Sequence, residues 1–137
     1  MFIDELSCPP RWWNIIAMPQ PAILYVESNQ LLAQLVCDLL DLAGWHVSRP
    51  HNYATAQLFL ESEQRYALLL VDNELRDATG LELVKYARTL AHRKSLPVVL
   101  FSIEDCEREA KRAGADEFLR KPHDLYLLLD TIRRMIK

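Results

Sequence analysis

Four positions carry groups suited to handling a phosphoryl group, and each directly follows a run that reads as a β-strand. Glu27 follows AILYV (22–26), Asp72 follows ALLLV (67–71), Ser102 follows PVVLF (97–101) and Lys121 follows EFLR (117–120). A carboxylate such as Asp72 is a competent nucleophile toward an activated phosphoryl group. Charge on the equatorial oxygens of the transferred group calls for a cation, which Lys121 and a divalent metal can both supply. Magnesium takes hard oxygen ligands, typically one or two carboxylates and several waters. Glu27 and Asp72 are the candidates, and Ser102 can donate a hydrogen bond to a phosphoryl oxygen.

These groups meet only if their strands lie side by side. Three of the runs are apolar without polar alternation, the pattern of strands covered on both faces. Between them lie segments with helical spacing. Ser28 or Asn29 can cap a helix in which Leu31, Leu32, Leu35, Val36, Leu39 and Leu40 recur at three and four, and Gly44 ends it. WHVS (45–48) reads as a short strand, and 52–64 as a helix with Ala54, Leu58 and Phe59 inward. Leu81, Leu83, Val84, Ala87 and Leu90 mark a third helix, 104–113 a charged fourth stopping at Gly114, and Leu125 to Met135 an amphipathic fifth. Five strands alternating with five helices predict an α/β fold, a five-stranded parallel sheet with helices on both faces. In such sheets ligands bind beyond the carboxyl ends of the strands, where all four groups fall.

Composition narrows the class. Half of the 137 residues are hydrophobic, enough for one domain with a real core. A net charge of -3 gives no general pull toward nucleic acid or an anionic membrane. No apolar run approaches the ~18 residues that cross a bilayer, and the acidic, proline-bearing start does not read as a signal peptide. Cys8, Cys37 and Cys106 are odd in number and widely spaced, which reads as reduced thiols in a cytoplasmic protein. The four histidines are scattered and form no ligand pattern. Residues 1–21, punctuated by Pro9, Pro10, Pro19 and Pro21 yet rich in Trp and Ile, read as an N-terminal extension. It either lies on the domain's own surface or packs against a second copy or a partner.

Residues 22–137 resemble a response-regulator receiver domain, CheY-like, over their whole length. The pieces that carry the resemblance are ILYVESN, LLLVDNELRDATGLEL, LPVVLFS and GADEFLRKP, in the right order and spacing. The resemblance implies a doubly wound sheet of strand order 2-1-3-4-5. It implies Asp72 as phosphoacceptor, Lys121 as the lysine pairing with it or its phosphate, a cis bond before Pro122, and Ser102 and Phe118 as switch residues. It implies magnesium held by Glu27, Asp72 and the backbone carbonyl of Glu74, with Glu74 and Glu104 flanking the phosphoryl group. The implied partners are a sensor histidine kinase or phosphotransfer protein and a downstream protein target, with a homodimer open and no direct nucleic-acid or membrane contact.

One departure bears on the metal. The family normally places two acidic residues after the first strand, and here the pair is Glu27-Ser28. A neutral hydroxyl is a poor ligand for a hard cation, so weakened magnesium binding is expected, with Ser28 a weak ligand at best. Asn29 is another oxygen donor, although its place suits a helix cap. The departure motivates the alternative of a pseudo-receiver that works by protein contact without phosphate. Enzymes on this fold are disfavoured: ESNQLL is no flavin phosphate loop, and DNE lacks the Asp-x-Asp of a haloacid-dehalogenase-type phosphatase. The chain is expected to be a stand-alone receiver or a receiver from a longer regulator.

Overall fold

The computed structural model describes residues 21–136. The extension expected over 1–21 therefore lies, apart from Pro21, outside the described residues. In chain order the elements are β1 (Ala22–Val26), α1 (Gln30–Leu42), β2 (Val47–Ser48), α2 (Tyr53–Glu61), β3 (Tyr66–Asp72), α3 (Gly80–Thr89), β4 (Val98–Ser102), α4 (Glu107–Ala113), β5 (Glu117–Arg120) and α5 (Leu128–Met135). Short 3-10 turns at Ala91–Arg93 and Leu125–Leu127 lead into β4 and α5. The sheet order is β2-β1-β3-β4-β5, all parallel, as expected.

Local chemistry sets the helix boundaries. Side-chain oxygens of Asn29, Asn52 and Thr79 accept from the backbone N–H groups of Leu32, Thr55 and Glu82, giving α1, α2 and α3 their first turns. Gly114 closes α4 at φ 112°, a conformation that glycine adopts without strain.

The alternation of side chains along each strand divides the core. Ile23, Tyr25, Leu68, Leu70, Val99 and Phe101 pack against Val36, Cys37 and Leu40 of α1 and Leu128 and Ile132 of α5. Leu24, Val26, Leu69, Val71, Val98 and Leu100 face the opposite layer, α2 to α4, through Leu60, Leu83, Val84 and Ala110. Both faces of the central strands are thus dry, which is why their sequences show no polar alternation.

Several expectations are corrected. On α2 the buried residues are Ala56 and Leu60, while Ala54 and Leu58 are exposed and Phe59 is half-buried. With ~100° per residue, Leu58 lies nearly opposite the Ala56–Leu60 stripe. On α1 the buried stripe is Ala33, Val36, Cys37 and Leu40; Leu31 and Leu35 face outward. The strand expected at 45–48 shrinks to Val47–Ser48. The helix expected from 104 starts at Glu107, because residues 103–105 form a loop held by Ser102 and Glu74.

Candidate functional site

The carboxyl ends of β1, β3, β4 and β5 converge on an open cleft of about 550 Å³, lined among others by Glu27, Asp72, Glu74, Ile103 and Lys121. Parallel pairing is the reason. Val26 sits beside Val71, Asp72 beside Phe101, and Ser102 beside Arg120, so the residue ending each strand falls at one edge.

Asp72 is buried at the end of β3, and Lys121 Nζ lies 2.6 Å from its Oδ1. The ammonium also lies 3.5 Å from Glu27 Oε1 and 3.8 Å from Glu74 Oε1. Three carboxylates thus face a single cation. Burial pushes the Asp72 carboxyl above its ordinary 3.8; the Lys121 hydrogen bond opposes that, and the Glu27 charge adds to it. Glu27 is fixed on both sides. The Tyr25 hydroxyl donates to Oε1 at 3.4 Å and the Asn29 N–H to Oε2 at 3.2 Å. The bond before Pro122 is cis, as the resemblance implies.

Two glycine and asparagine contacts hold the β3 end in place. A Cβ on Gly80 would lie 2.5 Å from the Asp72 carbonyl oxygen, so only glycine lets α3 start so near the strand. Asn73 Oδ1 accepts from the Leu81 N–H at 3.0 Å, and its own N–H donates to Phe101 O at 2.9 Å.

Ser102 is fully buried, and its hydroxyl donates to Glu74 Oε2 at 2.6 Å. It accepts from the Glu104 N–H at 3.0 Å, three residues ahead of α4, so it does not cap that helix. Ile103 N–H donates to Glu74 Oε1 at 3.1 Å. This bidentate hold on the Glu74 side chain was invisible in the sequence, where the resemblance pointed to its backbone carbonyl as a metal ligand and to its carboxylate only as a flank of the phosphoryl group. Glu104 is exposed, and the cleft lining stops at its neighbour Ile103. Phe118 is half-buried on β5, in the core layer under α2 to α4, and pairs with Leu100 rather than with Ser102.

The donor set fits magnesium only thinly. Among the described residues, no group of three or more His, Cys, Asp or Glu side chains is arranged to hold a metal. Glu27 and Asp72 remain as carboxylate ligands, a set that magnesium completes with water. The Ser28 hydroxyl is already committed, donating to His51 O at 3.2 Å and accepting from the Arg76 N–H at 3.3 Å. Asn29 is likewise committed to capping α1.

The chain is similar to known proteins in sequence and in fold. The family model of the response regulator receiver domain matches residues 23–133. The polar-differentiation response regulator DivK of Brucella anthropi is 29% identical over 119 residues, covering 85% of this chain and 95% of that protein. Among solved structures, the chemotaxis response regulator CheY4 of Vibrio cholerae superposes with a TM-score of 0.78 at 26% identity, covering 85% of this chain and 99% of that one. The response regulator TrrA of Thermotoga maritima, solved with Mg(2+)-BeF, shares the fold at a TM-score of 0.74 and 21% identity, covering 85% of this chain and all of that one. The matched span takes in β2 to β5, all of β1 but Ala22, and each of the strand-end groups, and the chain therefore belongs to the response regulator receiver domain family, a receiver of two-component signalling.

Proposed function

We propose that Asp72 accepts a phosphoryl group from a histidine kinase or phosphotransfer protein, and that the chain passes the signal on by protein contact rather than by turning over a substrate. The observation that carries this reading is the 2.6 Å contact between Lys121 Nζ and the buried Asp72 Oδ1, at the edge where the buried Ser102 hydroxyl also lies. An Asp72 carboxylate oxygen attacks phosphorus, and the bond from phosphorus to the donor's imidazole nitrogen breaks. The electron pair stays on that nitrogen. Lys121 holds one side of the incoming group, and Ser102 is the hydroxyl within reach of the other. Phe118, on the neighbouring strand, is the aromatic whose packing would follow Ser102.

Magnesium, when bound, supplies positive charge against the phosphoryl oxygens; Glu27, Asp72 and the Glu74 carbonyl would hold it. With Ser28 in place of a third carboxylate, its affinity is expected to be weak. The solved relative in complex with Mg(2+)-BeF supports this kind of site. Two buried free thiols, Cys37 and Cys106, and no helix long and apolar enough to cross a membrane among the described residues support a cytoplasmic setting.

The test is direct. Full-length protein incubated with magnesium and acetyl phosphate gains the mass of one phosphoryl group, and the Asp72→Ala variant gains none. No gain in the wild type under saturating magnesium sinks the reading. One observation favours a second reading: the Ser28 hydroxyl is tied to His51 and Arg76 instead of facing a metal. On that reading the receiver binds its partner without phosphate, and Asp72→Ala leaves partner binding unchanged.

A further inference from the structure

The three donors best placed to receive a phosphoryl group on Asp72 already hold an anion, and it is part of the chain. Ser102 Oγ donates to Glu74 Oε2 at 2.6 Å, and the Ile103 N–H donates to Glu74 Oε1 at 3.1 Å. Lys121 Nζ stands 3.8 Å from that same Oε1 while contacting Asp72 at 2.6 Å. A hydroxyl, a backbone N–H and an ammonium converging on one carboxylate form an anion subsite by chemistry alone. Glu74 reaches it because it lies two residues beyond Asp72. An isolated backbone bridge between Glu74 and Thr79 ties down the intervening loop. The carboxylate is only partly exposed, its side chain 29% accessible, so the charge-assisted bonds are partly shielded from water.

We infer that the Glu74 carboxylate is the resident occupant of the phosphoryl subsite, and that an incoming phosphoryl group must displace it. The inference rests on the reading of Asp72 as acceptor and deepens it. Its first consequence concerns the unphosphorylated chain. The Ser102 hydroxyl is already turned toward the subsite, so the resting protein holds its switch hydroxyl as it would for an anion. The second consequence is a raised threshold for modification. Displacing Glu74 breaks two hydrogen bonds from a buried hydroxyl and a backbone amide, and returns a carboxylate to a cleft that already holds Glu27 and Asp72.

Beryllofluoride with magnesium probes the subsite in the full chain, comparing the wild type with Glu74→Ala. Glu104→Ala serves as control, because it removes a nearby exposed carboxylate that holds neither the Ser102 hydroxyl nor the Ile103 N–H. Two readouts are taken by NMR: the Ile103 amide signal with no anion added, and the apparent beryllofluoride affinity. The expected result is a displaced Ile103 amide in Glu74→Ala alone and affinity tighter by at least ~10-fold in that variant alone. An unmoved Ile103 signal overturns the inference, as does equal affinity in the wild type and Glu74→Ala. An equal gain in Glu104→Ala also overturns it, since simple charge repulsion then accounts for the effect. If the amide moves but none of the proteins binds beryllofluoride, the reading of Asp72 as acceptor falls and the inference falls with it; the other failures leave that reading standing.

Discussion

Gly80 matters at the residue scale as much as any charged group. Its missing side chain is what allows α3 to begin against the carbonyl of Asp72, where a Cβ would sit 2.5 Å from that oxygen and 3.0 Å from Asn73 Cα. Both neighbours are backbone atoms, which cannot rotate away. Gly80→Ala is therefore expected to push the β3 end, and the Asp72 carboxylate with it, out of reach of Lys121. The expected outcome is a loss of about 1–3 kcal/mol in urea unfolding, typical of an overpacked site, together with slower uptake of a phosphoryl group from acetyl phosphate. Unchanged stability and rate would show that the loop absorbs the methyl group. The strand-end residues Glu27, Asp72, Ser102 and Lys121 were legible in the sequence because each follows an apolar run at a predictable edge. The contacts of Glu74 and Ser28 were not. Both depend on how loops fold back across several strands, and no period in the sequence encodes that.

At the scale of elements, the start of α2 shows how a loop at the site also builds the fold. Asn52 caps the helix from its own chain, and Asp77, 23 or 24 residues later, accepts from the Tyr53 N–H at 2.9 Å and the Ala54 N–H at 3.2 Å. The carboxylate answers two of the N–H groups that a helix start leaves free and sits at the positive end of the helix dipole. Those amide bonds, the Tyr53 one first, hold the Asp77 carboxyl below its ordinary 3.8. A depressed native value contributes stability above the unfolded value of about 4, and that stability is lost as pH falls through the native value. Asp77→Asn is thus expected to be less stable than wild type at pH 7, with the difference shrinking as pH falls below the ordinary carboxylate value of about 4. Thermal unfolding across that range checks it; a constant difference would mean that the lost charge is not what matters. The α2 boundaries were legible only roughly, since the sequence pointed to 52–64 and the helix is Tyr53–Glu61. Its buried face was misjudged because Leu58 is as apolar as Leu60, and only packing against β3 and α3 distinguishes them. The alternation of elements pointed to a parallel sheet with helices on both faces, while the strand order 2-1-3-4-5 came from the family resemblance.

Over the whole molecule, the two edges of the sheet do different work. The carboxyl edge gathers charged groups for chemistry. The opposite edge is held by two arginines that no strand-end argument brought out. Arg93, 4% exposed, donates to Leu60 O, Ser62 O and Gln64 O, closing the end of α2 and the entry to β3, and stacks over the Tyr66 ring. Arg88 at the end of α3 donates to Arg93 O, Leu96 O and Gly114 O and pairs with Asp116 at 3.1 Å, joining the entries to β4 and β5. Each is a cation answering several loop carbonyls at once, with a desolvation cost left behind if it is removed. Arg88→Ala should therefore cost about 2–4 kcal/mol in urea unfolding, through carbonyls stranded in the two loops that lead into β4 and β5. Because these loops lie at the end of the strands opposite Asp72, the folded variant should bind beryllofluoride as the wild type does. Lower affinity in the folded population would mean that strain at one edge reaches the other along β4, and that stability and phosphate chemistry in this receiver are coupled through the sheet rather than divided between its ends.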